Sequence, residues 1–145
     1  MKPVKFSRAV SVLIALLFAY AAVSKLCAYE ESKREMMNQV FPVNIALVLT
    51  WLVPVTELTL AAGLVINKFR FRSLLASCLL LIVFTLYIAI TMSGRFGRIP
   101  CSCGGILEDM SYSAHLVFNL IFIVMAILAI ALETQWKSIH QWFNQ

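Results

Sequence analysis

Four apolar runs of roughly membrane-spanning length divide this chain of 145 residues, at 9–27, 43–66, 74–92 and 113–132. A helix needs about 20 apolar residues to cross a hydrocarbon core of about 30 Å. An open strand would leave its backbone groups unpaired in lipid, so only helices suit these runs. The sequence therefore predicts an all-α polytopic membrane protein, a four-helix transmembrane bundle that forms a single membrane domain.

The composition agrees with a chain whose main solvent is lipid. Hydrophobic residues make up 61% of the chain and charged residues 13%, whereas a soluble domain carries about 25% charged residues. The net charge of +5 does not indicate a nucleic-acid partner, because the basic residues form short clusters at the ends of the apolar runs. The sequence contains no phosphate-binding loop and no nucleotide-binding fingerprint.

The basic clusters predict the orientation of the spans. Lys2, Lys5 and Arg8 precede the first run, and the short connection 67–72 is basic without any acid. By the positive-inside rule both regions are cytoplasmic, so both termini face the cytoplasm and the loops after the first and third runs face outward. Lys25 stands where a signal peptidase needs small residues, which favours a retained span. We predict a multi-pass protein of the bacterial inner membrane.

Two amphipathic segments flank the spans. Residues 29–41 begin with charged side chains and end with an apolar flank, and Pro42 suits the first turn of the helix that follows. Residues 135–145 carry aromatic side chains at helical spacing, two of them tryptophans, which anchor helices at the lipid boundary. We expect both segments to lie along the membrane interface.

Two cysteines one residue apart, Cys101 and Cys103, lie in the outward loop between the third and fourth runs and are followed by two glycines. A disulfide between them closes a small ring that departs from relaxed geometry, and such bonds are easily reduced. Disulfides persist on the outer side of a bacterial inner membrane. We therefore favour a redox-active pair. The alternatives are a structural disulfide or half of a metal site, with Cys27 and His115 as the further ligands.

Three other residues are candidates for thiol chemistry or for packing. Cys27 ends the first run on the outward side, where it either resolves a disulfide with the pair, as in a three-thiol relay, or fills space as a small apolar residue. His115 lies near the outward end of the fourth run and either accepts a proton or is a polar residue at the interface. Cys78 lies within the third run, and we expect it to pack in the core.

Glu57 is an acid inside an apolar run, where a charge costs roughly 2.5–3.5 kcal/mol. Pro54, three residues earlier, removes a backbone donor close to it. Glu57 is either functional, as a proton relay or a quinone contact, or it bonds between helices, with Thr85 or Tyr87 as donors. We expect Lys25 not to reach it, because Glu57 lies 14 residues into its run, about 20 Å at helical rise. Lys25 is expected to snorkel to the outer interface instead.

The combination of these features resembles the MauE/DoxX-like redox-associated membrane proteins, and the resemblance covers nearly the whole chain. It rests on Ser24-Lys25-Leu26, Pro54, Glu57, Gly63, Phe84-Thr85-Leu86-Tyr87 and Cys101-x-Cys103-Gly104. Members of this group are thought to support disulfide formation or thioredoxin-like partners outside the membrane, and related DoxX/DoxD proteins are tied to quinone-linked sulfur oxidation. The resemblance implies that Cys101 and Cys103 are the redox pair and that Glu57 is a polar position of the family. The Cys-Gly-Gly ending departs from the Cys-Phe-Gly of many members.

Together these features predict a membrane thiol–disulfide redox protein, a possible oxidoreductase. It would exchange electrons between an extracytoplasmic thioredoxin-like partner and a membrane acceptor, with quinone as the candidate, through the Cys101/Cys103 pair. One alternative is a non-enzymatic accessory or assembly subunit of a membrane complex, in which the cysteine loop is a docking element. The other is a small proton-coupled transporter that uses Glu57.

Overall fold

The computed structural model describes the backbone of residues 2–40, 42–93 and 112–143, and the side chains of residues 5–40, 42–93 and 113–135. The secondary structure of these residues is helical, with no strand, and consists of α1 (Lys2–Cys27), α2 (Tyr29–Met37), α3 (Val43–Val65), α4 (Arg70–Met92) and α5 (Tyr112–Phe143). All but α2 are long and apolar enough to span a membrane. The predicted all-α architecture with four spans is confirmed.

Each long helix buries one face. In α3 the buried residues recur every three or four positions, as one face of a helix requires: Ala46, Thr50, Pro54, Glu57, Ala61 and Leu64. The corresponding faces of α1, α4 and α5 meet it in a core of small and branched apolar side chains. The opposite faces expose large hydrophobic residues, which is the pattern of a surface that contacts lipid.

The long helices form a closed ring of neighbours. α1 packs between α3 and α5, and α4 completes the ring between α3 and α5. The turn 66–69 leads directly from α3 into α4, so these two helices are antiparallel neighbours. Close packing of this pair depends on Gly63, because a methyl group at that position would clash with the side chain of Ser73. We call the end of the bundle where α1 finishes the α2 end, and the other the turn end.

α2 folds back against the first half of α3. Acidic residues in its first turn and a basic residue in its last turn suit the helix dipole. At its start, the ring of Tyr29 lies 5.1 Å from the ring of Trp51, and the Trp51 indole donates to the Tyr29 hydroxyl. Just beyond its end, the side chain of Gln39 accepts a hydrogen bond from the Tyr87 hydroxyl of α4. Because Tyr29 contacts Trp51, the end of α1 lies beside α3, about two helical turns from the start of α3.

The fourth span and the aromatic tail belong to one helix. α5 runs without a break for 32 residues, to Phe143. Its apolar part supplies the fourth spanning segment, Ser113–Gln135. The helix continues beyond that segment because nothing in the sequence between 133 and 143 breaks it: this stretch has neither glycine nor proline.

Candidate functional site

A buried ion pair joins Lys25, in the last turn of α1, to Glu57 of α3. The Lys25 ammonium donates to both carboxylate oxygens of Glu57, at 2.8 and 3.0 Å. The Lys25 side chain is 16% exposed and that of Glu57 only 3%. A buried charge is tolerated when it is paired and hydrogen-bonded. Each of these two charges thus makes the other acceptable inside the bundle.

The expectation that Lys25 does not reach Glu57 is wrong, for two physical reasons. Because α2 folds back, α1 ends level with Trp51 rather than with the start of α3, which removes part of the difference in depth. In addition, side chains lean toward the N-terminus of their own helix. In an antiparallel pair, Lys25 therefore leans toward the middle of the bundle and Glu57 leans back toward the α2 end. Helical rise alone measures the depth of Cα atoms and misses both effects.

The two donors considered as partners for Glu57 bond elsewhere. The Thr85 hydroxyl donates to the Leu81 carbonyl of its own helix at 2.7 Å. The Tyr87 hydroxyl donates to Gln39 and so helps to hold α2 in place. Each hydroxyl has a single proton to donate. Neither of these alternative donors therefore bonds to Glu57, whose partner on another helix is Lys25.

The remaining predicted site residues are only partly within the described chain. Cys27 is exposed at the last position of α1. His115 lies near the start of α5 and is half-buried. Both therefore lie at the α2 end. Cys101 and Cys103 lie outside the described residues, in the connection between α4 and α5.

Cys78 is part of the core, as the sequence predicted. It is 7% exposed and belongs to the cluster of buried apolar side chains.

Among the described residues, no three histidine, cysteine or acidic side chains come together as a metal site would require.

A second buried polar cluster, at the turn end, was missed by the sequence analysis. Arg70 Nη1 lies 3.0 Å from Glu133 Oε2, and Arg70 Nη2 donates to Glu133 Oε1 at 3.1 Å. The Ser7 hydroxyl accepts from Arg70 at 2.8 Å and donates to Glu133 at 2.7 Å. Three helices, α1, α4 and α5, thus meet at one polar cluster.

A signal for this cluster was available in the sequence. Glu133 is an acid at the end of the fourth run, on the same side as the basic connection that precedes the third run. The basic residues of that connection also satisfy the positive-inside rule, which by itself asks for no partner. An acid at matching depth indicates that one of them is a partner in an ion pair instead.

Comparison with known proteins identifies the family of this bundle. The family model described as "Methylamine utilisation protein MauE" matches residues 3–132. The "Methylamine utilization protein MauE" of Paracoccus denitrificans is 32% identical over 129 residues, which cover 87% of this chain and 67% of that protein. No solved structure matches the chain. With its four apolar helices and this match over most of its length, the chain is a multi-pass membrane protein that belongs to the MauE family.

Proposed function

We propose that this protein is a membrane thiol–disulfide redox protein that works through Cys101 and Cys103. It exchanges electrons between an extracytoplasmic thioredoxin-like partner and a membrane acceptor. The main support is the pair of cysteines one residue apart in the connection between α4 and α5. That connection links the ends of two helices at the α2 end, where α1 also presents the exposed thiol of Cys27.

The exchange follows ordinary disulfide chemistry. A thiolate of the partner attacks one sulfur of the Cys101–Cys103 disulfide, the bond between the two sulfurs breaks, and a mixed disulfide forms. The partner's second thiol then displaces the bound cysteine, so that the partner leaves oxidised and both cysteines are reduced. Re-forming their disulfide releases two electrons and two protons, which a quinone takes up as it becomes a quinol. The exchange is reversible, so electrons can also pass outward to a partner disulfide.

The other site residues have supporting roles in this proposal. Cys27 is the third thiol, able to exchange with either member of the pair. His115 accepts or donates a proton at the same end of the bundle. Glu57 is bound to Lys25 by two hydrogen bonds, which favours a structural role for this carboxylate over the coupling role that a transporter would give it.

The charges at the turn end support the proposed orientation in the inner membrane. Arg70 is neutralised by Glu133, but Lys68 and Arg72 of the same region are outside that cluster, and the N-terminal segment adds further basic residues. Basic residues at this end favour a cytoplasmic location. The α2 end, with the thiols, then faces the extracytoplasmic side.

The name of the Paracoccus relative supports a second candidate. That protein is named for methylamine utilisation, and this chain would have a membrane accessory role in the same process. In this reading the Cys101/Cys103 connection docks another protein without changing its own oxidation state. The membrane location and the family membership are common to both candidates, so chemistry at the two sulfurs separates them.

Covalent trapping distinguishes the two candidates. In a Cys27→Ser background, which removes the third thiol, the remaining thiol of Cys101→Ser or Cys103→Ser forms a mixed disulfide that no neighbouring thiol can resolve. We expect a higher-mass adduct on non-reducing gels in at least one single variant, lost on reduction and absent from the double variant. Cys78→Ser, which changes a core thiol, is the control and should form the same species as the parent chain.

Labelling of intact cells supplies the second readout. A membrane-impermeant thiol reagent should label Cys101 and Cys103 only after prior reduction, if the pair is oxidised and faces outward. If no adduct forms, and both single variants support the cell's methylamine growth as well as the parent chain, the docking role is correct and the redox role is wrong.

A further inference from the structure

A small cavity lies beside the Lys25–Glu57 pair, between α1, α2 and α3. Its walls include Lys25, Ser32, Glu35, Gln39, Thr50 and Pro54. The cavity has a volume of about 20 Å³, and a water molecule needs roughly 10–15 Å³ by this measure. It therefore has room for one water molecule, provided that polar partners are in reach.

Lys25 supplies a donor to this cavity. An ammonium group has three N–H bonds. Within the described part of the chain, its recorded acceptors are the two oxygens of Glu57, so at least one N–H is left over. Lys25 is also one of the residues that line the cavity, and we therefore assign this N–H as the donor to it.

Thr50 supplies an acceptor. In a regular helix its carbonyl would accept from the backbone N–H of residue 54, but Pro54 has none. The Thr50 hydroxyl cannot compensate, since it donates to the Ala46 carbonyl at 2.9 Å. Inside a membrane protein, carbonyls released by proline are satisfied by neighbouring side chains or by ordered water. Both Thr50 and Pro54 line the cavity.

We propose that one ordered water molecule occupies this cavity and bridges the two groups. It accepts a hydrogen bond from the Lys25 ammonium and donates one to the Thr50 carbonyl. The α2 side of the cavity, with Ser32 and Glu35, offers polar groups for its other proton. The ion pair is thus hydrated from the α2 end, and α2 covers the water. This inference does not depend on the proposed thiol chemistry.

Radiolytic footprinting tests the proposal, because hydroxyl radicals produced from a bound water oxidise the side chains beside it. Met36 lines the cavity and is partly buried, whereas its neighbour Met37 is exposed. With the full chain in nanodiscs and heavy-oxygen water as the probe, we expect labelled oxygen at Met36 at a rate similar to that at Met37, despite its lower exposure.

Matched variants of α3 identify the source of the label. Val53 lines the cavity and Val55 is 52% exposed on the outer face, so Val53→Ile adds a methylene group to the cavity wall and Val55→Ile adds one outside it. Val53→Ile should lower the labelling of Met36 several-fold and leave Met37 unchanged, and Val55→Ile should change neither. Equal labelling of Met36 in both variants, or no labelling in the parent chain, overturns the proposal. Because neither variant alters a cysteine, failure here leaves the trapping experiment unaffected.

Discussion

Removal of Lys25 should destabilise the bundle far more than removal of an exposed cation. Lys25→Met keeps an unbranched side chain only one atom shorter but leaves the Glu57 carboxylate, only 3% exposed, without its partner. Breaking a buried ion pair by removing one member costs about 3–5 kcal/mol. Since every 1.4 kcal/mol is tenfold, the unfolding equilibrium constant should rise by roughly two to four orders of magnitude.

The structure supplies a matched control for this variant. Arg34 and Glu31 form an ion pair at 3.0 Å within α2, but their side chains are 71% and 49% exposed. Exposed pairs of this kind are worth about 0.3–0.5 kcal/mol. Arg34→Met should therefore have almost no effect on stability, although it breaks a contact of similar length.

A double variant separates the cost of losing the ion pair from the cost of leaving one buried charge unpaired. Replacing both residues, as Lys25→Met with Glu57→Leu, removes the unpaired carboxylate as well as the ammonium. Apolar replacement of a whole buried pair is often neutral or stabilising, so this variant should recover most of the loss. The comparison gives the coupling energy between the two side chains.

Equilibrium unfolding in mixed detergent micelles, followed by the loss of helical circular dichroism, measures each free energy. The free energy of unfolding should be the same for the parent chain and Arg34→Met. It should be close to theirs for the double variant and well below theirs for Lys25→Met. A loss of less than about 1 kcal/mol for Lys25→Met, below the range for breaking a buried pair, would refute the reasoning. The ion pair would then be too well hydrated to behave as buried.

Three further predictions concern other parts of the bundle. Glu133→Leu leaves the buried arginine at the start of α4 unpaired, so it should cost about 3–5 kcal/mol in the same unfolding assay; a loss near zero would contradict the buried cluster at the turn end. Gly63→Ala should bring a clash with Ser73 that costs about 1–3 kcal/mol, offset by the roughly 1 kcal/mol by which alanine is the better helix former, and Ser73→Ala should relieve part of the clash; an equal effect of Gly63→Ala in both backgrounds would exclude this contact as the cause. In a chain without the Cys101/Cys103 thiols, Cys27 should react quickly with a maleimide and Cys78 only after unfolding, because one is exposed and the other buried; similar rates in folded protein would contradict the depth of the core.

The spans were predictable because the signals for them are local. The length and apolar character of a run decide whether it crosses lipid, and both can be read from about 20 consecutive residues. The burial of Cys78 was also predictable, since a cysteine inside an apolar run has few alternatives to packing. The short helix α2 follows equally from a local pattern of charged and apolar residues.

The partner of Glu57 could not be predicted because it depends on the relative position of two helices. Lys25 and Glu57 are 32 residues apart in sequence, and their contact requires α2 to fold back and both side chains to lean in opposite directions. Neither effect can be predicted from the hydropathy of the two apolar runs. Arg70 and Glu133 are likewise 63 residues apart in sequence. Their pairing could not be predicted, because a basic residue in a short connection also satisfies the positive-inside rule.

The two polar clusters explain how α1 keeps its position in a bundle that the hydrophobic effect does not hold together within lipid. Apolar contacts between helices gain little over contacts with lipid tails, so packing and hydrogen bonds determine which faces meet. α1 is tied to α3 by Lys25 near the α2 end and to α4 and α5 by Ser7 at the turn end. Contacts at both ends fix its depth as well as its rotation. Because Cys27 lies only two residues beyond Lys25, the same ion pair also fixes where the thiol at the end of α1 is presented.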